Sequence, residues 1–203
     1  MIGLDFDNTI AGYDKVFSRA AVCEGLLSPS EANSKREVRD ALRQHPDGER
    51  EWMRLQGRAY GAHMDEATLI EGVAEFLTTC RNNDISICIV SHKTEFGHFD
   101  PDRISLRDAA RTWMSANGFF DSDLFGLTAD MVFFEATREE KVCRIAKLGC
   151  THFVDDLEEV FLESGFPDKT KRYLFTNGVT PLPAGPFRAF SNWSEIMHDI
   201  FNA

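Results

Sequence analysis

The first ten residues, Met1-Ile2-Gly3-Leu4-Asp5-Phe6-Asp7-Asn8-Thr9-Ile10, constrain this chain more than any other stretch. An apolar run reads as a strand and ends in two aspartates with one residue between them. Side chains alternate faces along a strand, so Asp5 and Asp7 project to the same side as far as the extended geometry holds. Two carboxylates roughly 5 Å apart, at an effective dielectric of about 20, repel by on the order of 3 kcal/mol. A chain that sets them together holds a cation between them or keeps one protonated. An Asp-rich turn after a strand is the plainer reading of this stretch alone; the rest of the chain weighs against it.

From about Ile70 onward, strands and helices alternate. Ile70 opens a helix that ends near Asn82-Asn83-Asp84, and Ile85-Ser86-Ile87-Cys88-Ile89-Val90 then reads as a buried strand running into Ser91-His92-Lys93. Thr94 to Arg103 reads as a loop, Leu106 to Asn117 as an amphipathic helix, and Met131 to Phe134 as a short strand. Thr137-Arg138-Glu139-Glu140 has capping-box spacing and opens a helix that stops at Gly149, with Lys141 in its first turn. Thr151 to Val154 is another strand, ending at Asp155-Asp156; Leu157 to Glu163 reads as helix, Arg172 to Phe175 as strand, and Ser191 to Glu195 as the cap of a last helix. Alternation of this kind implies an α/β fold, a parallel sheet with helices on both faces. Ligands in such sheets bind beyond the carboxyl ends of the strands. Asp5, Asp7, Ser91, Asp155 and Asp156 all fall at such ends, and Lys141 opens the helix after one of them.

Gly12 to about Thr68 differs in character. It is polar and charged, with apolar residues at helical spacing (Val16, Ala20, Cys23; Val38, Leu42; Trp52, Leu55, Tyr60). We read about three helices here and no strand, with Ser28 or Ser30 as a cap and His45-Pro46-Asp47-Gly48 as a turn between two helices. The stretch is a helical insertion after the first strand. Arg58, Tyr60 and His63 read more simply as part of an amphipathic helix than as site residues.

Composition narrows the partners. A formal charge of −11 gives no basic footprint for nucleic acid or an anionic membrane. Five scattered cysteines without a CxxC pair fit a reducing, cytoplasmic setting, and Cys88 reads as core. No secretory leader or membrane span is expected. A small anionic substrate needs local cations, and those residues can supply them. Mg²⁺ takes one or two carboxylates plus waters and substrate oxygen. Asp5 and Asp156 are the natural pair, with the Asp7 carbonyl as a further ligand and Asp155 in support. Ser91 can donate to a phosphate oxygen, and Lys141 sets positive charge against the carboxylates.

These residues resemble the haloacid dehalogenase superfamily of phosphatases. Asp5-Phe6-Asp7-Asn8-Thr9 is similar to its DxDxT signature, Ser91 to its second motif, Lys141 to its third and Asp155-Asp156 to its fourth. The resemblance implies a Rossmann-like core over 1–11 and 69–203, with 12–68 as a helical cap that closes over the site. It implies Mg²⁺ as cofactor and a small phosphorylated metabolite as substrate. It implies Asp5 as the nucleophile that forms an aspartyl-phosphate, and Asp7 as the acid that protonates the leaving oxygen and then activates water. Thr9 would shape the turn. Asn8, Thr9, Ser91, His92 and Lys141 are candidate substrate contacts, with Lys93 and His98 near them. A phosphotransferase of the same superfamily, or a non-catalytic module with the same fold, are the competing expectations. Neither substrate nor oligomeric state is encoded in any motif.

Overall fold

The computed structural model describes residues 1–32 and 34–202. Eight strands are present among them: β1 Ile2–Leu4, β2 Ala11–Gly12, β3 Thr68–Leu69, β4 Ile87–His92, β5 Val132–Glu135, β6 His152–Asp155, β7 Lys171–Phe175 and β8 Arg188–Phe190. The helices are α1 Asp14–Cys23, α2 Lys35–Leu42, α3 Gly48–Tyr60, α4 Val73–Asn82, α5 Leu106–Ala116, α6 Arg138–Leu148, α7 Glu158–Leu162 and α8 Trp193–Phe201. The chain forms two compact units: Met1–Ala11 with Leu69–Lys93 and Gly118–Ala203, and Gly12–Thr68 with Thr94–Asn117.

The first unit is built on a six-stranded sheet in the order β5-β4-β1-β6-β7-β8. Every pairing in it is parallel. The first strand in the chain is thus a central strand, and all three of its residues are buried. Strands covered on both faces need continuous apolar runs rather than alternation, which is why Cys88, Ile89 and Val90 are all fully buried. Leu174 packs with Val90, Val142, Ile145, Phe153, Val160 and Phe161, so α6 and α7 cover one face. Its neighbour Phe175 points the other way, with its ring 5.8 Å from Trp193. Trp193 in turn lies 4.9 Å from Phe76, so α4 and α8 cover the opposite face.

Gly3 marks the tightest point of β1. A Cβ there would sit 2.5 Å from the Phe153 ring and 2.9 Å from Cys150 Sγ, with backbone on either side. Gly3→Ala should therefore destabilise the fold by about 1–3 kcal/mol, seen as a lower denaturation midpoint. Phe153→Leu in the same chain should recover part of that loss. An unchanged midpoint in Gly3→Ala would contradict the packing described.

Most expected elements form within a residue or two of their predicted limits. The capping box of α6 is made in full, Thr137 accepting from the Glu140 N–H and Glu140 from the Thr137 N–H, and Gly149 ends the helix at a φ of 64°. Several expectations are corrected. No helix starts at Ser28–Glu31: Glu31 takes hydrogen bonds from the Ser28 amide and hydroxyl, and the helix opens instead at Lys35 with Ser34 as its cap. The insertion is not free of strand, since Gly12 ends β2 and Thr68 begins β3, and these two short strands pair. β8 was not anticipated, because a three-residue edge strand carries too little pattern to read. The first strand is also shorter than its apolar run, ending at Leu4, after which Phe6 to Ala11 closes a tight turn.

The second unit packs α1, α2 and α3 around Val16, Phe17, Val38, Leu42, Trp52 and Leu55, with the Phe17 and Trp52 rings stacked at 5.0 Å. Cys23, placed on this apolar stripe by its spacing, is exposed instead. Thr94–Asn117 belongs to the same unit. The Trp113 indole donates to the Ala67 carbonyl at 2.9 Å, and Gly97 abuts Gly57 so closely that a Cβ on Gly97 would lie 2.4 Å from the Gly57 Cα.

Candidate active site

Every residue that the sequence motifs picked out lies in the sheet unit. Asp5 follows the last residue of β1, Ser91 is the next-to-last residue of β4, Asp155 ends β6 and Asp156 comes next. Since β4, β1 and β6 are adjacent and parallel, these residues meet at one edge of the sheet. The turn after β1 is what brings the second aspartate in. Asn8 takes a left-handed φ of 60°, its N–H donates to the Ala11 carbonyl at 2.8 Å, and the Ala11 N–H returns to the Phe6 carbonyl at 3.0 Å. Asn is among the few non-glycine residues that tolerate that conformation.

Lys141 is the centre of the site. It is 1% exposed, and its Nζ donates to Asp5 Oδ1 and Asp155 Oδ2, each at 2.6 Å. Burial alone would push this ammonium toward neutrality, but Asp155 and Asp5 outweigh it and hold the group above the ordinary lysine range. Asp155 is fully buried, and that burial pushes its carboxyl up to about 7 against the pull of Lys141. Its other oxygen accepts from the Leu157 N–H at 3.0 Å, which fixes the carboxylate at the head of α7.

Asp156 is only partly buried, and its Oδ2 accepts from Asn8 Nδ2 at 3.3 Å. Asp5, Asp155 and Asp156 each offer a carboxylate oxygen within 4.8 Å of the others. An all-oxygen donor set of this kind suits a hard divalent cation. Lys141 and Leu157 take both oxygens of Asp155, whereas Asp5 gives one oxygen to Lys141 and Asp156 gives one to Asn8.

Asp7 is held by a residue that no motif marked. Lys93 Nζ lies 2.8 Å from Asp7 Oδ2 and 3.0 Å from Oδ1. The signal was present in the spacing: Lys93 is two residues beyond Ser91 and so leaves the strand on the same side. The four aspartates against these two lysines leave a formal charge of −2, which a divalent cation would neutralise.

The other candidates are placed as follows. Thr9 is fully buried, with the Trp193 indole donating to its carbonyl at 3.1 Å, so it anchors the turn from beneath. Its hydroxyl has no hydrogen-bond partner among the described residues. Ser91 is buried beside the site. His92 points away on the strand alternation, is exposed, and has Nε2 3.0 Å from the Ala136 carbonyl. His98 is exposed and lies in the helical unit. His152, the first residue of β6, is half-buried with its ring 5.4 Å from that of Tyr173 and is not part of this cluster.

No family model matches the chain. No curated protein matches it either. Solved structures do. A HAD family hydrolase from Deinococcus radiodurans R1, solved with bound phosphate and sodium, aligns over 99% of this chain and 94% of its own at 15% identity, with a TM-score of 0.61. A HAD-superfamily hydrolase from Ehrlichia chaffeensis aligns over 99% and 95% at 14% identity, with a TM-score of 0.55. A HAD-superfamily hydrolase of subfamily IA, variant 1, from Geobacter sulfurreducens PCA aligns over 98% and 94% at 16% identity, also with a TM-score of 0.55. The order of the strands, the buried β1 at their centre and the likeness over nearly the whole chain lead to one conclusion: this chain has the fold of the haloacid dehalogenase superfamily hydrolases.

Proposed function

We propose that this protein is a Mg²⁺-dependent phosphatase that hydrolyses a small phosphorylated metabolite through an aspartyl-phosphate on Asp5. The observation that carries the reading is the convergence of Asp5, Asp155 and Asp156 on one another at the carboxyl edge of the sheet, with Lys141 bonded to the first two. The phosphate bound in the Deinococcus radiodurans hydrolase of the same fold supports it. So does a cavity of about 240 Å³ beside Asn8 and Asp156, bounded by Leu174, Thr176 and Asn177, which is of a size for a small group. In this reading residues 12–68 serve as the cap.

The residues act as follows. Lys141 holds Asp5 Oδ1, which leaves Oδ2 to attack phosphorus. The Oδ2–P bond forms as the ester P–O bond breaks, and Asp7 delivers a proton to the departing oxygen. Water then attacks phosphorus, Asp7 takes its proton, and Asp5 is released with inorganic phosphate. Lys141 and Ser91 offset charge on the phosphoryl oxygens. Asp5, Asp156 and the Asp7 carbonyl would hold Mg²⁺, which supplies charge neutralisation and Lewis-acid polarisation of the phosphoryl group.

Phosphate release should be measured over a broad panel of phosphate esters, with Mg²⁺ and with a chelator. We expect release to vanish on chelation and to return on adding Mg²⁺. Mg²⁺ at a hundred times its dissociation constant should also raise stability by about 2.7 kcal/mol. Release that ignores the chelator would rule out the metal-dependent reading, and no release from any ester would rule out the phosphatase.

A further inference from the structure

Lys93 stands outside the motif set, yet it is as buried as the residues within it. It is 3% exposed, and its ammonium spans both oxygens of Asp7. The residue is held at both ends. Its backbone N–H donates to the Glu135 carbonyl at 2.9 Å, tying its base to the end of β5. Its Nζ lies 5.6 Å from the centroid of the Phe6 ring, the residue between the two aspartates. A lysine on a flexible stem loses much rotamer freedom when fixed in this way. A solvated surface pair would not restrain it so. The two aspartates of the first motif thus each have their own lysine, Lys141 on Asp5 and Lys93 on Asp7.

We propose that Lys93 is the positioning residue of Asp7. By holding the Asp7 carboxyl it fixes the rotamer from which Asp7 acts: while one oxygen carries the proton bound for the leaving group Lys93 keeps the other, and once that proton has gone Lys93 spans both until one of them takes a proton from water. Lys93 keeps its own proton throughout and forms no bond to phosphorus. This inference rests on the proposed function, since it assigns Asp7 the proton transfers described there. It concerns where the carboxylate is held, and Lys93 acts only through it.

A displaced general acid matters most where the leaving oxygen is most basic. General acid–base catalysis of this kind contributes roughly 10²- to 10⁴-fold. The test uses substituted aryl phosphates of similar shape, spanning good to poor leaving groups, with Mg²⁺, on wild-type protein, Lys93→Met and Lys93→Arg. In Lys93→Met we expect kcat/KM for the poorest leaving group to fall at least about tenfold more than for the best. The best should still show a burst of phenol followed by slow turnover, because water activation also needs Asp7. Lys93→Arg should restore most of the leaving-group profile. The ratio between two esters measured on one sample does not depend on the folded fraction, so partial unfolding of Lys93→Met cannot imitate the result.

An equal loss for every ester, carried in KM, would instead make Lys93 a ligand of the phosphate and overturn the positioning role. An unchanged profile would overturn it as well. If wild-type protein releases no phosphate from the series, the proposed function itself fails and the inference falls with it. If wild-type protein is active and only the profile of Lys93→Met is flat, the inference alone fails.

Discussion

Asp5→Asn should lower phosphate release by about three orders of magnitude or more while leaving the fold in place. The size follows from removing a nucleophile that works as one part of a unit, where single losses cost nearly as much as losing the whole. The fold should survive because asparagine keeps the shape of the side chain and an oxygen that can still accept from Lys141, now 2.6 Å from Asp5 Oδ1. Lys141 also keeps Asp155 as a charged partner. The check has two parts. Steady-state phosphate release gives the loss, and a thermal melt of the same sample shows whether the fold remains. Acid-quenched wild-type protein should in addition carry a phosphoryl group on the peptide that contains Asp5, and Asp5→Asn should not. Retained activity in a sample free of deamidated protein would remove Asp5 from the mechanism.

How far the sequence could be read depends on whether the physics was local. The strands β4, β6 and β7 and the helix α6 were legible because an apolar run or a capping box sets them within a few residues. The edge strand β8 was not, since three residues at a sheet margin gain their structure from β7 rather than from their own pattern. The grouping of Thr94–Asn117 with Gly12–Thr68 is a matter of long-range packing, the glycine contact of 57 with 97 and the Trp113 indole on Ala67, and leaves no trace in local periodicity. The turn after β1 was half legible. The strand alternation aligns Asp5 with Asp7, but the chain leaves the sheet at Leu4, and it is the left-handed Asn8 that completes the geometry. The cluster of Asp5, Lys141 and Asp155 was legible because each residue sits at an element end that topology forces together. The Asp7–Lys93 pair was visible only as a spacing, because a lysine after a strand is ordinarily solvated and nothing local says that this one is buried.

Lys141→Met should be the most destabilising single change at the site and should also abolish turnover. Lys141 is a buried ammonium between two buried carboxylates, with Asp5 4% exposed and Asp155 fully buried. Removing one member of a buried ion network leaves charge without compensation and typically costs about 3–5 kcal/mol. Native stability is commonly about 5–15 kcal/mol, so much of it would go. For a chain of this size the melting midpoint should fall by roughly 10 °C. The same physics predicts partial repair. Lys141→Met combined with Asp155→Asn removes one of the stranded charges, so the double variant should melt above Lys141→Met alone and show a coupling energy that distant pairs lack. Activity should not return with it, because the phosphoryl charge still lacks its cation. Lys141→Arg keeps the charge but replaces a compact ammonium with a planar fork, in a space where Nζ meets two oxygens at 2.6 Å; stability should recover more than turnover does. Melts and phosphate release on the three variants separate the two roles. If Lys141→Met melted with wild type, the network would not be the support of the carboxyl edge that its burial and distances describe.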